Sequence, residues 1–127
     1  MDLEEKNIAV ENFLKGLNTS IAELIILSIL SHSTQPMYGY HIAKVIEKEN
    51  HAVPVIKLGT LYPFLRSLEK SGFLESNINP SVSGPPRRYY QITESGRQTL
   101  NRWQQMWTAM RQFVDDNLKE DSHDQKH

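Results

Sequence analysis

Residues 59–71 carry Thr60, Tyr62, Pro63, Arg66, Ser67 and Lys70 between apolar positions. Arginine forms paired hydrogen bonds with guanine, and threonine or tyrosine reaches a phosphate or a thymine methyl. Further along, Arg87 and Arg88 follow a stretch with three prolines, Asn79-Pro-Ser-Val-Ser-Gly-Pro-Pro86. Two guanidinium groups beside a stiff loop suit a polyanion, because a restrained loop loses less entropy on docking. Tyr40 and Lys57 add a phenol and an ammonium of the same use. A different chemistry lies nearer the C-terminus. Trp103 and Trp107 stand one helical turn apart, with Met110 and Arg111 beyond them. Together with Ile21 they suit the lining of a small-molecule pocket, and at heptad spacing they equally suit a plain dimer core.

Other chemistries are poorly served. The chain has no cysteine, which excludes disulfides, zinc fingers and thiol nucleophiles. His32, His41 and His51 lack ligand spacing, while His123 and His127 lie in a polar tail. There is no Ser-His-Asp set, phosphate-cradling glycine loop or framed carboxylate pair. Neither an enzyme nor a metal or other cofactor is expected.

Charge is distributed unevenly. Residues 57–112 hold eight basic side chains against three acidic ones, although the whole chain has a net charge of −1. A cationic block between two acidic ends favours nucleic acid, the commonest polyanion in a cytoplasm. The acidic opening Met-Asp-Leu-Glu-Glu lacks the basic region of a signal peptide. The longest apolar run, Leu24 to Leu30, is broken by Ser28 and is too short to span a bilayer. A cytoplasmic protein without a membrane partner is expected.

The elements that must position these residues follow from the hydrophobic periods. Leu3, Ile8, Val10, Phe13, Leu14 and Leu17 suggest a short amphipathic helix ended by Gly16. Ser20 and Glu23 form a capping box that opens an apolar, buried helix from Ile21 to Leu30. Ser31 to Pro36 is turn chemistry. Tyr38, Ile42, Val45 and Ile46 share one face of a helix that Asn50 can end. Leu61, Phe64, Leu65 and Leu68 stripe a helix over 59–71, stopped by Gly72. Pro63 removes one helical N–H and is tolerable only near the first turn.

After Gly72 the period changes. Phe73–Ile78 and Arg87–Thr93 read as two strands of a hairpin, with Tyr90 and Ile92 facing away from Arg87, Tyr89 and Gln91. Thr93 then caps a last helix. Leu100, Trp103, Trp107, Met110, Val114 and Leu118 recur there in a seven-residue pattern, a seam that wants a partner. The fold class is mainly α with a small β-hairpin: a winged helix-turn-helix plus a long C-terminal dimerisation helix. The expected divisions are an N-terminal helix at 1–18, the DNA-binding domain at 19–93, the dimerisation helix at 94–118 and a flexible tail at 119–127.

Four segments resemble PadR-family transcriptional regulators. They are Tyr38-Gly39-Tyr40, Gly59-Thr60-Leu61-Tyr62-Pro63, Leu68-Glu69-Lys70-Ser71-Gly72, and the run from Gly84-Pro85-Pro86-Arg87-Arg88-Tyr89-Tyr90 to Thr93-Glu94-Ser95-Gly96. The resemblance spans residues 19–118. It implies a homodimeric repressor that reads a pseudo-palindromic operator in double-stranded DNA, with a C-terminal helix that exchanges contacts between subunits. The chain is similar to the short branch of the family, which has a single C-terminal helix. Drug-sensing members of that branch hold flat aromatic ligands between paired tryptophans at the dimer interface. The matching tryptophan, eleven residues past Gly96, is Trp107, and Trp103 is an additional aromatic. Arg111 stands where those members tend to have an acid, which weakens the inference of a cationic drug and leaves an anionic aromatic, such as a phenolic acid, open. The helix at 1–17 is longer than in the shortest members and is placed to brace a dimer or cover a pocket. Two other classes fit the same elements: a winged-helix protein-interaction module, and a small-molecule-binding dimer without DNA binding.

Overall fold

The computed structural model describes residues 1–49, 56, 58–81 and 83–119. Helix α1 runs from Leu3 to Ser31, strand β1 covers Met37–Tyr38, and helix α2 covers Gly39–Glu49. A 3-10 turn at Leu58–Thr60 leads into helix α3, Leu61–Lys70. Strands β2 (Leu74–Asn79) and β3 (Arg87–Ile92) form the hairpin, and helix α4 spans Glu94–Lys119. The order is that of a winged helix-turn-helix, mostly helical with a small antiparallel sheet. Asn50, His51, Pro54 and Lys57, and the tail from residue 120, lie outside the described residues.

The first helix differs from the sequence expectation. Gly16 does not end it, and Ser20 and Glu23 do not open a second one; α1 is continuous over 29 residues. A single glycine costs a helix about 1 kcal/mol, which the neighbouring turns outweigh. The true N-terminal cap is Asp2, whose carboxylate accepts the Glu5 N–H at 2.8 Å. Because the break is absent, α1 is by length and composition apolar enough to cross a membrane. That corrects the bilayer argument drawn from the Leu24–Leu30 run. The apolar residues of its second half have another use, since Ala22, Ile26, Leu27 and Leu30 are buried at the centre of the fold. Its first half is exposed, with Phe13 66% accessible.

The core around that half-helix follows the expected stripes. Ile42 and Ile46 of α2 and Leu61, Leu65 and Leu68 of α3 are buried against it. Tyr90 and Ile92 supply the sheet's contribution, as strand alternation requires. One strand has no sequence signal. Met37 and Tyr38 pair with Tyr90 and Tyr89, so the sheet has three strands in the order β1-β3-β2. Two residues are too few to show a period.

Candidate nucleic-acid interface

The sequence of α3 divides by helical period. Leu61, Leu65 and Leu68 turn inward, which leaves Tyr62, Pro63, Arg66, Ser67 and Lys70 exposed, with Thr60 exposed just before them. Pro63 falls in the first turn, where its missing N–H breaks no bond. The outer edge of α3 is therefore polar and cationic.

Four elements meet beside it. Tyr38 from β1, Gly39 and Tyr40 from the start of α2, Tyr62 from α3, and Pro86, Arg87, Arg88 and Tyr90 from the wing line a cleft of about 400 Å³. Among the described residues, no carboxylate lines it. Along one wall the Arg87 guanidinium lies 4.6 Å from the centre of the Tyr38 ring. Tyr38 stacks on Tyr40 at 6.1 Å and 22°. The Lys44 ammonium sits 5.2 Å from the Tyr40 ring, so two cations bracket two rings. The Tyr40 hydroxyl, and secondarily Glu47 at 3.4 Å, keep the Lys44 ammonium above the ordinary lysine range.

Arg88 is oriented by a relay. Its Nη1 donates to Ser76 Oγ at 2.9 Å, and that hydroxyl donates to Glu69 Oε2 at 2.6 Å. Beside it, Gln91 donates to Glu75 across the hairpin. Burial pushes the Tyr90 phenol up; Glu69 and Tyr62 add to the rise, while Arg88 and Arg66 oppose it. Tyr90 therefore sits neutral between wing and helix.

A second cavity of about 290 Å³ lies between α1 and α4. Ile21, Trp103, Trp107 and Met110 line it, together with Ser20, Glu23, Leu24 and Met106. Arg111 is exposed and is not among the lining residues. It lies about 80° round the helix from Trp103, past the edge of that face. Burial raises the Glu23 carboxyl above its ordinary value. The sequence reading missed Glu23, although Ser20, Glu23 and Leu24 share one helix face at spacings of three and four.

The expected seam is used unevenly. Leu100 and Trp103 pack against the chain's own core. Val114 and Leu118 are exposed, as are Met106 and Phe113, which the heptad pattern did not single out. Lys57, expected to contact DNA, lies outside the described residues. Among the described residues, no group of three or more histidines or carboxylates could hold a metal ion.

The same architecture recurs in known regulators. The family model for PadR-like transcriptional regulators matches residues 26–102. A PadR family transcriptional regulator from Eggerthella lenta is 28% identical with a TM-score of 0.72, over 91% of this chain and 97% of that one. A PadR-like transcriptional regulator from Bacillus cereus is 30% identical with a TM-score of 0.64, over 85% and 97%. A transcriptional regulator from Clostridium thermocellum is 29% identical with a TM-score of 0.70, over 80% and 96%. No protein of curated function matches the chain. The matched span holds the buried C-terminal end of α1, the exposed edge of α3, the wing and the start of α4, and the chain belongs to the PadR-like family of transcriptional regulators.

Proposed function

We propose that this regulator is a cytoplasmic homodimeric repressor, released from its operator by a small aromatic effector. The observation that carries the DNA half is the convergence of Tyr40, Tyr62, Arg87 and Arg88 on one cleft that no carboxylate lines among the described residues. In this reading α3 enters the major groove, where Arg66 and Lys70 meet base edges or phosphates. Thr60, Tyr62, Pro63 and Ser67 form the contact edge around them. Tyr40 and the two wing arginines meet the backbone beside the groove.

The dimer half is supported by α4. Met106, Trp107, Met110, Phe113, Val114 and Leu118 are between 43% and 74% exposed. A long apolar stripe of this kind marks an interaction surface, and a second α4 with the same stripe covers it by two-fold symmetry. Trp107 and Met110 then serve both the seam and the effector cavity, while Trp103 lines the cavity from the core side. Glu23 within that cavity and Arg111 outside it favour an aromatic that brings a hydrogen-bond donor or a positive charge. A phenolic acid would face the carboxylate.

The test is anisotropy of a labelled duplex from the region upstream of the chain's own coding sequence, titrated across a salt series. A steep salt dependence and a preference for that duplex over a scrambled one are expected. Salt-independent or absent binding would support the protein-interaction or carrier classes instead.

A further inference from the structure

The recognition helix and the cavity tryptophan Trp103 meet at one residue. Helix α3 ends in a Schellman turn, with Gly72 at φ +85°. The Gly72 N–H donates to Glu69 O at 2.9 Å, and the Phe73 N–H donates to Leu68 O at 3.0 Å. The backbone of Phe73 thus closes α3. That backbone is also fastened to α4. The Thr93 N–H donates to Phe73 O at 3.0 Å. The Thr93 hydroxyl donates to Gly72 O at 2.7 Å and accepts the Gly96 N–H at 3.0 Å. The Phe73 ring then meets Trp103 edge-on, at 5.8 Å and 87°.

We infer that Phe73 is a positioning residue that couples the state of Trp103 to the recognition helix. Edge-to-face contact depends on the direction of both rings, so a tilt of Trp103 is felt at Phe73. The Phe73 backbone cannot follow without disturbing the α3 cap or the Thr93 bond. A group seated against Trp103 and a DNA groove holding α3 therefore act on one shared element, which is what coupling between two sites requires. The DNA arm of this inference rests on the proposed function; the cap arm does not.

Both arms are measurable on the full chain. With 5-fluorotryptophan in place of its two tryptophans, ¹⁹F resonances are assigned by Trp107→Phe. Saturation with the upstream duplex is expected to move the Trp103 resonance. Phe73→Leu and Phe73→Met are expected to abolish that movement, and Phe73→Tyr, which keeps the ring edge, to retain it. Two truncated variants guard against loss of fold in one of them. Without DNA, Trp103→Ala is expected to raise amide exchange severalfold at Gly72 and Phe73, and to add nothing in the Phe73→Leu background. A Trp103 resonance that stays still in the wild type at saturation, or moves equally in the Leu and Met variants, overturns the coupling. So does unchanged exchange in Trp103→Ala. A duplex that fails to bind at all contradicts the operator reading, and the exchange arm still decides the inference.

Discussion

A β-carbon added to Gly39 would stand 2.6 Å from Cε1 of Tyr62, so the first residue of α2 fixes where the α3 tyrosine lies. The obstacle is a half-exposed ring, which can swing away. Gly39→Ala is therefore expected to fold normally but to displace Tyr62 from the cleft. Operator affinity should fall roughly fivefold, about 1 kcal/mol, the worth of one hydrogen bond. In a Tyr62→Ala background the same change should cost nothing more. Anisotropy titration of the four proteins reads the cycle.

Gly96 presents the opposite case. A β-carbon there would collide with the Phe73 carbonyl, which is backbone and tied to Thr93. Relief requires moving α4 off the hairpin. Gly96→Ala is expected to destabilise the fold by about 2–3 kcal/mol, as overpacking does. Urea denaturation followed by circular dichroism measures it.

The arginines of helix and wing should separate in a salt series. Arg66→Ala is expected to cost roughly 1–3 kcal/mol on the specific duplex and to relax sequence preference. Arg88→Ala is expected to weaken specific and scrambled duplexes alike and to lower the salt slope by about 1. Ser76→Ala removes the hydroxyl between Arg88 and Glu69, so it should weaken binding in the same direction, but less. Equal salt slopes in wild type and Arg88→Ala would remove Arg88 from the phosphate contacts.

Glu23 gives the cavity a pH dependence. Burial raises its folded-state pKa above the ordinary value of 4.5, so the folded chain holds the proton more tightly than the unfolded chain. The stability it contributes is full below pH 4.5 and is lost as pH rises through the folded value. Glu23→Gln lacks that loss. It should melt higher than wild type at pH 7, with the difference closing on acidification. A lower melting temperature for the variant at pH 7 would contradict the sign.

Much of this architecture was legible because it rests on periodicity. The Leu61–Leu65–Leu68 stripe and the Tyr90–Ile92 alternation each match a buried face. Gly16 misled because an exposed helix turn tolerates a glycine, with nothing within 4 Å of its missing β-carbon. Ser20 and Glu23 then looked like a helix start although they face the cavity. The site was half legible. Residue type pointed to Tyr40, Tyr62, Arg87 and Arg88, but their meeting depends on β1, which is too short to leave a pattern. The Phe73–Trp103 contact joins residues thirty positions apart and has no local signature.

In the proposed repressor, two chains share one operator through their α3 edges. Native mass spectrometry of the protein with the upstream duplex tests it most directly. Two 14.7-kDa chains on each duplex are expected, with the free protein already paired. A single chain per duplex, or a protein that stays monomeric and leaves the duplex bare, would contradict it.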